Sequence, residues 1–144
     1  MDLTTSPGAG PALGMIGLGR MGANLVRRLV AGGGTAAVFD TDPAVAVALA
    51  EELGAAVTPA ATLDELVGAL AGPRAVWVMV PASVAGTVVG QVAALLSPGD
   101  VVIDGGNTDW REDAPRAAEL AEAGIAMLDV GTSGGVWGLE RGYC

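Results

Sequence analysis

The sequence of 144 residues contains no histidine and no lysine. All seven basic residues are arginines, and against sixteen acidic residues they leave a formal net charge of -9. Two common proton-transfer side chains are therefore absent. Nucleic-acid binding depends largely on Lys and Arg at phosphate groups, so we predict that this acidic chain does not bind nucleic acid.

Cysteine is almost absent too. The only one is Cys144, so no internal disulfide can form, which fits a reducing cytoplasmic location. No metal site is predicted. The first residues lack the positive charge of a secretory signal, and we expect residues 1–11 to be a disordered lead. Residues 75–96 carry no charge, but Pro81 and Gly86 interrupt them, which favours a strand and a helix over a membrane span.

Short runs rich in Val and Ile alternate with longer helical patterns, which indicates βαβ units. We predict an α/β fold of the Rossmann type: a doubly wound, mainly parallel sheet with helices on both faces, forming one domain over residues 12–144. Predicted strands cover residues 13–17, 35–39, 55–57, 75–80, 101–104 and 126–130. Predicted helices cover residues 21–31, 43–53, 63–70, 83–96 and 109–123.

Local signals place several helix boundaries. Asp42 before proline, Thr62 in a capping box and Ser83 after a proline turn are predicted N-caps. Gly54 and Gly124 are predicted to end helices.

A glycine-rich segment, GLGRMG, lies between the first predicted strand and the first predicted helix. In this context the glycines permit a tight turn, a close approach of a pyrophosphate to the backbone, and close packing of helix on strand. The alternative is a purely structural turn. We predict dinucleotide binding by Gly17, Leu18, Gly19, Arg20, Met21 and Gly22.

The second predicted strand ends at Asp40, eighteen residues after Gly22. An acid about twenty residues beyond the glycines binds the adenosine ribose hydroxyls in this fold and repels a 2′-phosphate. The next residues, Thr41 and Asp42, offer no arginine for such a phosphate. The pattern favours NAD over NADP, although Asp40 could simply start a turn and Asp42 could simply cap the helix.

Three further segments follow later predicted strands. Val80, Pro81 and Ala82 come after a central strand, where open α/β sheets bind ligands. Asn107 follows two glycines in DGGNT and can present both a donor and an acceptor. Ser133, Gly134 and Gly135 lie in GTSGGVWG, whose hydroxyls and amides suit a polyol or carboxylate; the alternative for this last segment is a flexible tail.

Taken together, GLGRMGANL, VMVPAS, IDGGNT and GTSGGVWG resemble the amino-terminal domain of 6-phosphogluconate dehydrogenases, within the β-hydroxyacid dehydrogenase superfamily. The resemblance implies that the glycine loop holds the pyrophosphate, that Asp40, Thr41 and Asp42 border the adenosine ribose, and that residues 80–82 border the nicotinamide. It further implies that Asn107 touches both cofactor and substrate and assists catalysis, and that residues 133–135 bind the sugar acid.

The family reaction oxidises C3 of 6-phosphogluconate with NAD(P) and then releases CO2 to give ribulose 5-phosphate, a step of the pentose phosphate pathway. A lysine is the family's acid/base, and a helical domain follows in these homo-oligomeric enzymes. Because this chain has no lysine, we expect a truncated and inactive fragment. NADP-using members carry Asn-Arg-Ser/Thr where Asp40, Thr41 and Asp42 stand here, and this departure favours NAD.

Two alternatives stay open from the sequence. The chain could be a stand-alone module that binds a dinucleotide without catalysis, or part of a superfamily enzyme that acts on another hydroxy acid.

Overall fold

Six parallel strands form one sheet at the centre of the fold. The computed structural model describes residues 10–144. The strands are β1 (Leu13–Ile16), β2 (Ala36–Phe39), β3 (Val57–Pro59), β4 (Ala75–Val78), β5 (Val101–Asp104) and β6 (Ala126–Asp129). They lie side by side in the order β3-β2-β1-β4-β5-β6. This is the strand order of the doubly wound dinucleotide-binding fold, so the predicted fold is confirmed.

Helices cover both faces of the sheet. They are α1 (Arg20–Ala31), α2 (Pro43–Leu53), α3 (Leu63–Ala69), α4 (Ala82–Ala93), α5 (Trp110–Glu122) and the short α6 (Gly138–Arg141). One buried cluster joins α1 and α2 to the sheet, and a second joins α3, α4 and α5 to the opposite face. Because side chains alternate between the two faces along a strand, neighbouring residues of one strand belong to different clusters. Met15 belongs to the first cluster and Ile16 to the second.

Most predicted boundaries lie within two residues of the observed ones, and the predicted caps at Asp42 and Thr62 are confirmed. The Asp42 side chain accepts a hydrogen bond from the Ala44 N–H at 3.0 Å, and the Thr62 hydroxyl accepts one from the Glu65 N–H at 3.1 Å. The Glu65 carboxylate accepts in return from the N–H of Ala61, one residue before the cap.

Several predicted boundaries differ from the observed ones, and three of these differences concern β3 and α4. Residues 54–56 form a 3₁₀ turn instead of a strand, because Gly54 leaves α2 with φ 69° and pairing with β2 starts only at Val57. The helix after β4 begins at Ala82 rather than Ser83, since the Pro81 carbonyl accepts from the N–H groups of Val84 and Ala85 and makes Pro81 the N-cap. The same helix ends at Ala93, three residues earlier than predicted.

The segment after β6 is folded, in contrast to the flexible tail that the sequence left as an alternative. It contains a 3₁₀ turn (Gly135–Trp137) and α6, and both contact α1. The backbone of Ser133 pairs with that of Cys144 through hydrogen bonds of 2.6 and 3.0 Å. The Arg28 guanidinium on α1 also donates to the Leu139 carbonyl at 2.9 Å.

Two further expectations concern the amino-terminal residues and the uncharged stretch at residues 75–96. Residues 1–9 of the expected disordered lead lie outside the described residues, and residues 10 and 11 belong to no helix or strand. Within residues 10–144, no helix has the length and apolar character needed to cross a membrane.

Candidate functional site

The site lies where the direction of winding changes, between the carboxyl ends of β1 and β4. In open parallel sheets ligands bind in the crevice that forms at this point. The loops after β1, β2, β4, β5 and β6 all open toward this edge of the sheet, because all six strands run parallel. Two cavities flank it, and they share Met79, Val80 and Pro81.

The β2-side cavity has a volume of about 500 Å³. It contains Gly17 and Gly19 from the glycine loop together with Asp40 and Thr41 from the end of β2. Its remaining wall is largely apolar, since it is formed by Ile16, Phe39, Leu63, Val84 and Val88, with Gln91 as the polar exception. The cavity therefore combines a largely apolar wall with one carboxylate.

The β5-side cavity has a volume of about 430 Å³ and a more polar rim. It brings together segments that are far apart in sequence: Met21 on α1, Ala82 on α4, Asn107 after β5 and Ser133 after β6. Gly105, Gly106, Gly131 and Thr132 complete its wall.

The three glycines of the loop differ in what a side chain at their position would meet. Gly17 has φ 89°, and a side chain there would overlap the Met79 carbonyl. A side chain at Gly22 would overlap the Gly17 carbonyl, so this glycine allows α1 to approach β1. At Gly19, by contrast, an added Cβ would meet no heavy atom within 4 Å. The second glycine thus leaves open space in front of the loop.

The amino terminus of α1 presents backbone N–H groups that no side chain caps. Its N-cap is Gly19, and no acidic residue lies in its first turn. The amino termini of α2, α3 and α5 are each capped by a side chain. Because unsatisfied amides and the helix dipole together attract anions, the α1 terminus is suited to a phosphate group.

Asp40 is tied directly to the glycine loop. One carboxylate oxygen accepts a hydrogen bond from the Leu18 N–H at 2.8 Å, and the other accepts from the Asp42 N–H at 3.0 Å. The negative charge is therefore held at the mouth of the β2-side cavity.

Hydrogen bonds to a buried carboxylate hold the turn that carries Asn107. The Asp104 carboxylate is fully buried and accepts hydrogen bonds from the Gly106 N–H at 3.0 Å and the Thr108 hydroxyl at 3.3 Å. Asn107 itself is exposed and faces the β5-side cavity.

The structure separates the predicted site residues into two groups. Those that line the cavities are Gly17, Gly19, Met21, Asp40, Thr41, Val80, Pro81, Ala82, Asn107 and Ser133. Those that line neither of these two cavities are Leu18, Arg20, Gly22, Asp42, Gly134 and Gly135; Leu18 and Arg20 instead line a further cavity bordered by α1 and α2. Leu18 and Gly22 are buried, and the Asp42 side chain caps α2.

Sequence reasoning missed the side chains that α3 and α4 contribute to the β2-side cavity. Val84, Val88 and Gln91 share one face of α4 by helical spacing, which the sequence does show. Which side of the sheet this face covers depends on the chain's path, so the spacing alone could not assign these residues to the site.

One buried acid lies just behind the site. Burial raises the pKa of Asp113, the charges of Asp129 and Asp104 raise it further, and the Arg116 guanidinium opposes the shift. Arg116 donates to the Asp113 carboxylate at 3.0 Å.

The sequence matches known proteins over most of its length. Residues 12–144 match the family model described as the NAD binding domain of 6-phosphogluconate dehydrogenase. The NAD(+)-dependent, decarboxylating 6-phosphogluconate dehydrogenase of Haloferax volcanii is 42% identical over 132 residues, which are 91% of this chain and 42% of that protein. The decarboxylating 6-phosphogluconate dehydrogenase of Treponema pallidum is 41% identical over 92% of this chain and 28% of its own length. The chain thus spans less than half of these relatives.

Solved structures agree with these matches. Plasmodium falciparum 6-phosphogluconate dehydrogenase superposes with a TM-score of 0.82 at 27% identity, over 91% of this chain and 29% of that one. A 3-hydroxyisobutyrate dehydrogenase from Salmonella typhimurium gives 0.73 at 27% identity, over 88% of this chain and 43% of that one. By its sequence match and its fold, this chain belongs to the family of NAD binding domains of 6-phosphogluconate dehydrogenase.

Proposed function

We propose that the chain binds NAD across both cavities, as the cofactor domain of a dehydrogenase acting on 6-phosphogluconate. The observation that carries this proposal is the position of the uncapped α1 terminus, whose loop borders the β2-side cavity through Gly19 and whose first turn borders the β5-side cavity through Met21. A pyrophosphate at that terminus would direct one half of the dinucleotide into each cavity. The open space in front of Gly19 leaves room for it.

The adenosine half fits the β2-side cavity. The adenine ring would lie against the apolar wall at Leu63 and Val88, and the Asp40 carboxylate would accept hydrogen bonds from the ribose hydroxyls. The same carboxylate would repel the 2′-phosphate of NADP, so we propose NAD as the preferred cofactor. Relatives differ here, since the Haloferax volcanii protein is named as NAD(+)-dependent and the Plasmodium falciparum structure is described with NADP+.

The nicotinamide half fits the β5-side cavity, bordered by residues 80–82. When bound there, the nicotinamide ring would supply the hydride acceptor for oxidation of a hydroxyl group. Asn107 would orient the substrate with its amide group, and Ser133 would donate to a sugar-acid oxygen. We propose 6-phosphogluconate as the substrate, in the pentose phosphate pathway of the cytoplasm.

Catalysis is proposed to need more than these 144 residues. The chain has no lysine or histidine to act as the base for hydroxyl oxidation. The relatives are more than twice as long as the matched region, which is consistent with a cofactor domain over residues 12–144 joined to a helical domain. The same absence favours a second candidate function, binding of a dinucleotide without chemistry.

Nuclear magnetic resonance with half-cofactors tests the binding proposal. Adenosine monophosphate should shift the amide resonances of Thr41 and Leu63, whereas nicotinamide mononucleotide should shift those of Ala82 and Asn107. Both should shift Arg20, at the α1 terminus. Binding of neither half-cofactor nor NADH would refute the proposed function, and shifts at the opposite cavities would refute the proposed orientation.

A further inference from the structure

Two buried carboxylates share one hydroxyl group beneath the turn that carries Asn107. The Thr108 hydroxyl oxygen lies 3.3 Å from a carboxylate oxygen of Asp104 and 3.5 Å from one of Asp113. Both aspartates are less than a tenth exposed. The other oxygen of Asp104 accepts the hydrogen bond from the Gly106 N–H, next to Asn107.

A threonine hydroxyl has one hydrogen to donate, so it cannot satisfy two ionised carboxylates at once. If Asp113 is ionised, its oxygen competes with Asp104 for the Thr108 hydrogen. If Asp113 is protonated, its own O–H can donate to the Thr108 oxygen, and Thr108 then donates to Asp104 without competition. The proton on Asp113 comes from solvent, and it completes a chain of donors that ends at the carboxylate holding Gly106.

Burial and the neighbouring acidic charges raise the pKa of Asp113, whereas the Arg116 charge and the Thr108 hydrogen bond lower it. Asp104 on β5 and Asp129 on β6 face Asp113, and both raise its pKa in addition to the effect of burial. On α5 itself, Arg116 lowers the pKa, although its charge is shared with Glu112 at 3.8 Å. No residue of α4, the helix packed against Arg116 through Gly86, is charged.

We propose that Asp113 is a positioning residue for Asn107, acting through Thr108 and Asp104 on the turn at residues 105–108. Its protonation holds the turn in the geometry that presents Asn107 to the β5-side cavity, and its ionisation loosens that turn. The inference rests on the proposed function for its consequence, since Asn107 is the residue proposed to face both cofactor and substrate.

The Gly106 amide resonance reports on the turn without any ligand. In the labelled 144-residue chain, its chemical shift should titrate with pH, with a midpoint above the ordinary pKa of aspartate. Asp113→Asn should abolish this titration, and Thr108→Val should abolish it too because the hydroxyl link is lost. Thr108→Ser, which restores the hydroxyl, should bring it back. Asp109→Asn removes the charge of an exposed neighbour and should leave the titration unchanged.

Affinity for NADH gives the functional readout. Thr108→Val should weaken it about fivefold, corresponding to roughly 1 kcal/mol, and Thr108→Ser should restore it. A Gly106 resonance that does not titrate, or that titrates equally in Asp113→Asn, would overturn the positioning role. If no form of the chain binds NADH, the proposed function fails, and the Gly106 titration still decides the role of Asp113.

Discussion

The Asp40 carboxylate accepts a hydrogen bond of 2.8 Å from the backbone N–H of Leu18. This bond joins the carboxyl end of β2 to the glycine loop after β1. A second bond, from the Asp42 N–H at 3.0 Å, holds the other carboxylate oxygen. The charge that should distinguish NAD from NADP is therefore fixed by the same contacts that shape the loop.

NAD should bind at least about tenfold more tightly than NADP, a difference of roughly 1.4 kcal/mol, because a 2′-phosphate would lie beside the Asp40 carboxylate. Asp40→Asn combined with Thr41→Arg should move the preference toward NADP. Calorimetric titration of both forms with both cofactors measures the change. Glu51→Arg on the exposed side of α2 adds the same net charge away from the cavities and serves as the control. Equal affinities in the unmodified chain would contradict the prediction.

Gly19→Val should abolish dinucleotide binding without unfolding the protein. The backbone at Gly19 has φ −60° and ψ −173°, which a branched residue can adopt, and an added Cβ would meet no heavy atom within 4 Å. The valine side chain would occupy the space through which the pyrophosphate is proposed to approach the loop. Circular dichroism checks the fold, and NADH fluorescence checks binding. Gly68→Val, at an exposed glycine of α3 with equally open surroundings, should bind normally. Unchanged affinity in folded Gly19→Val would show that the loop is only a turn.

The purified chain should produce no NADH from 6-phosphogluconate even where it binds NAD. Hydroxyl oxidation needs a base within hydrogen-bond reach, and the chain offers only carboxylates, Tyr143 and Cys144 as candidates. Absorbance at saturating substrate measures turnover, with a full-length 6-phosphogluconate dehydrogenase as the positive control. Sustained turnover would show that 144 residues are enough for catalysis.

Asp100→Asn should destabilise the fold by about 2 kcal/mol at neutral pH, since one oxygen of a buried carboxylate that accepts three hydrogen bonds is replaced by an N–H and the negative charge beside Arg74 is lost. Asp100 accepts from the N–H groups of Arg74 and Ser97 at 2.7 and 2.9 Å and from the Arg74 guanidinium at 3.2 Å. An amide in place of the carboxylate turns its own N–H toward one of these donors.

The same contacts make the contribution of Asp100 to stability depend on pH. Burial alone would raise the pKa of Asp100, but the hydrogen bonds from Arg74 and Ser97 together lower it below the ordinary 3.8. Its contribution is therefore present above that value and is lost as the pH falls through the lowered pKa. Urea unfolding at pH 7 and at about pH 3 should show the difference between Asp100→Asn and the unmodified chain shrinking with acid. A difference that stays constant would contradict this account.

Much of the site's location followed from local sequence. The glycine loop was placed correctly because its spacing is tied to a strand before it and a helix after it, and both are recognisable from hydrophobic period. The separation from Gly22 predicted Asp40 as a cofactor-binding residue; Asp40 lines the β2-side cavity, and its role stays a prediction. The boundary of β3 was missed, because a three-residue edge strand carries little pattern and Gly54 alone decides where the helix before it ends.

The sequence by itself determined the order of strands and helices, the glycine loop and the absence of lysine and histidine, since each depends on residues close together in the chain or on composition alone. Only the tertiary structure decided that Val84 and Val88 border the same cavity as Asp40, and that Thr108 lies between the carboxylates of Asp104 and Asp113. These contacts arise because the crossover from β3 places β4 beside β1, and because α5 packs on the sheet. Local periodicity assigns a residue to a face of its own element, but it does not specify which element that face meets.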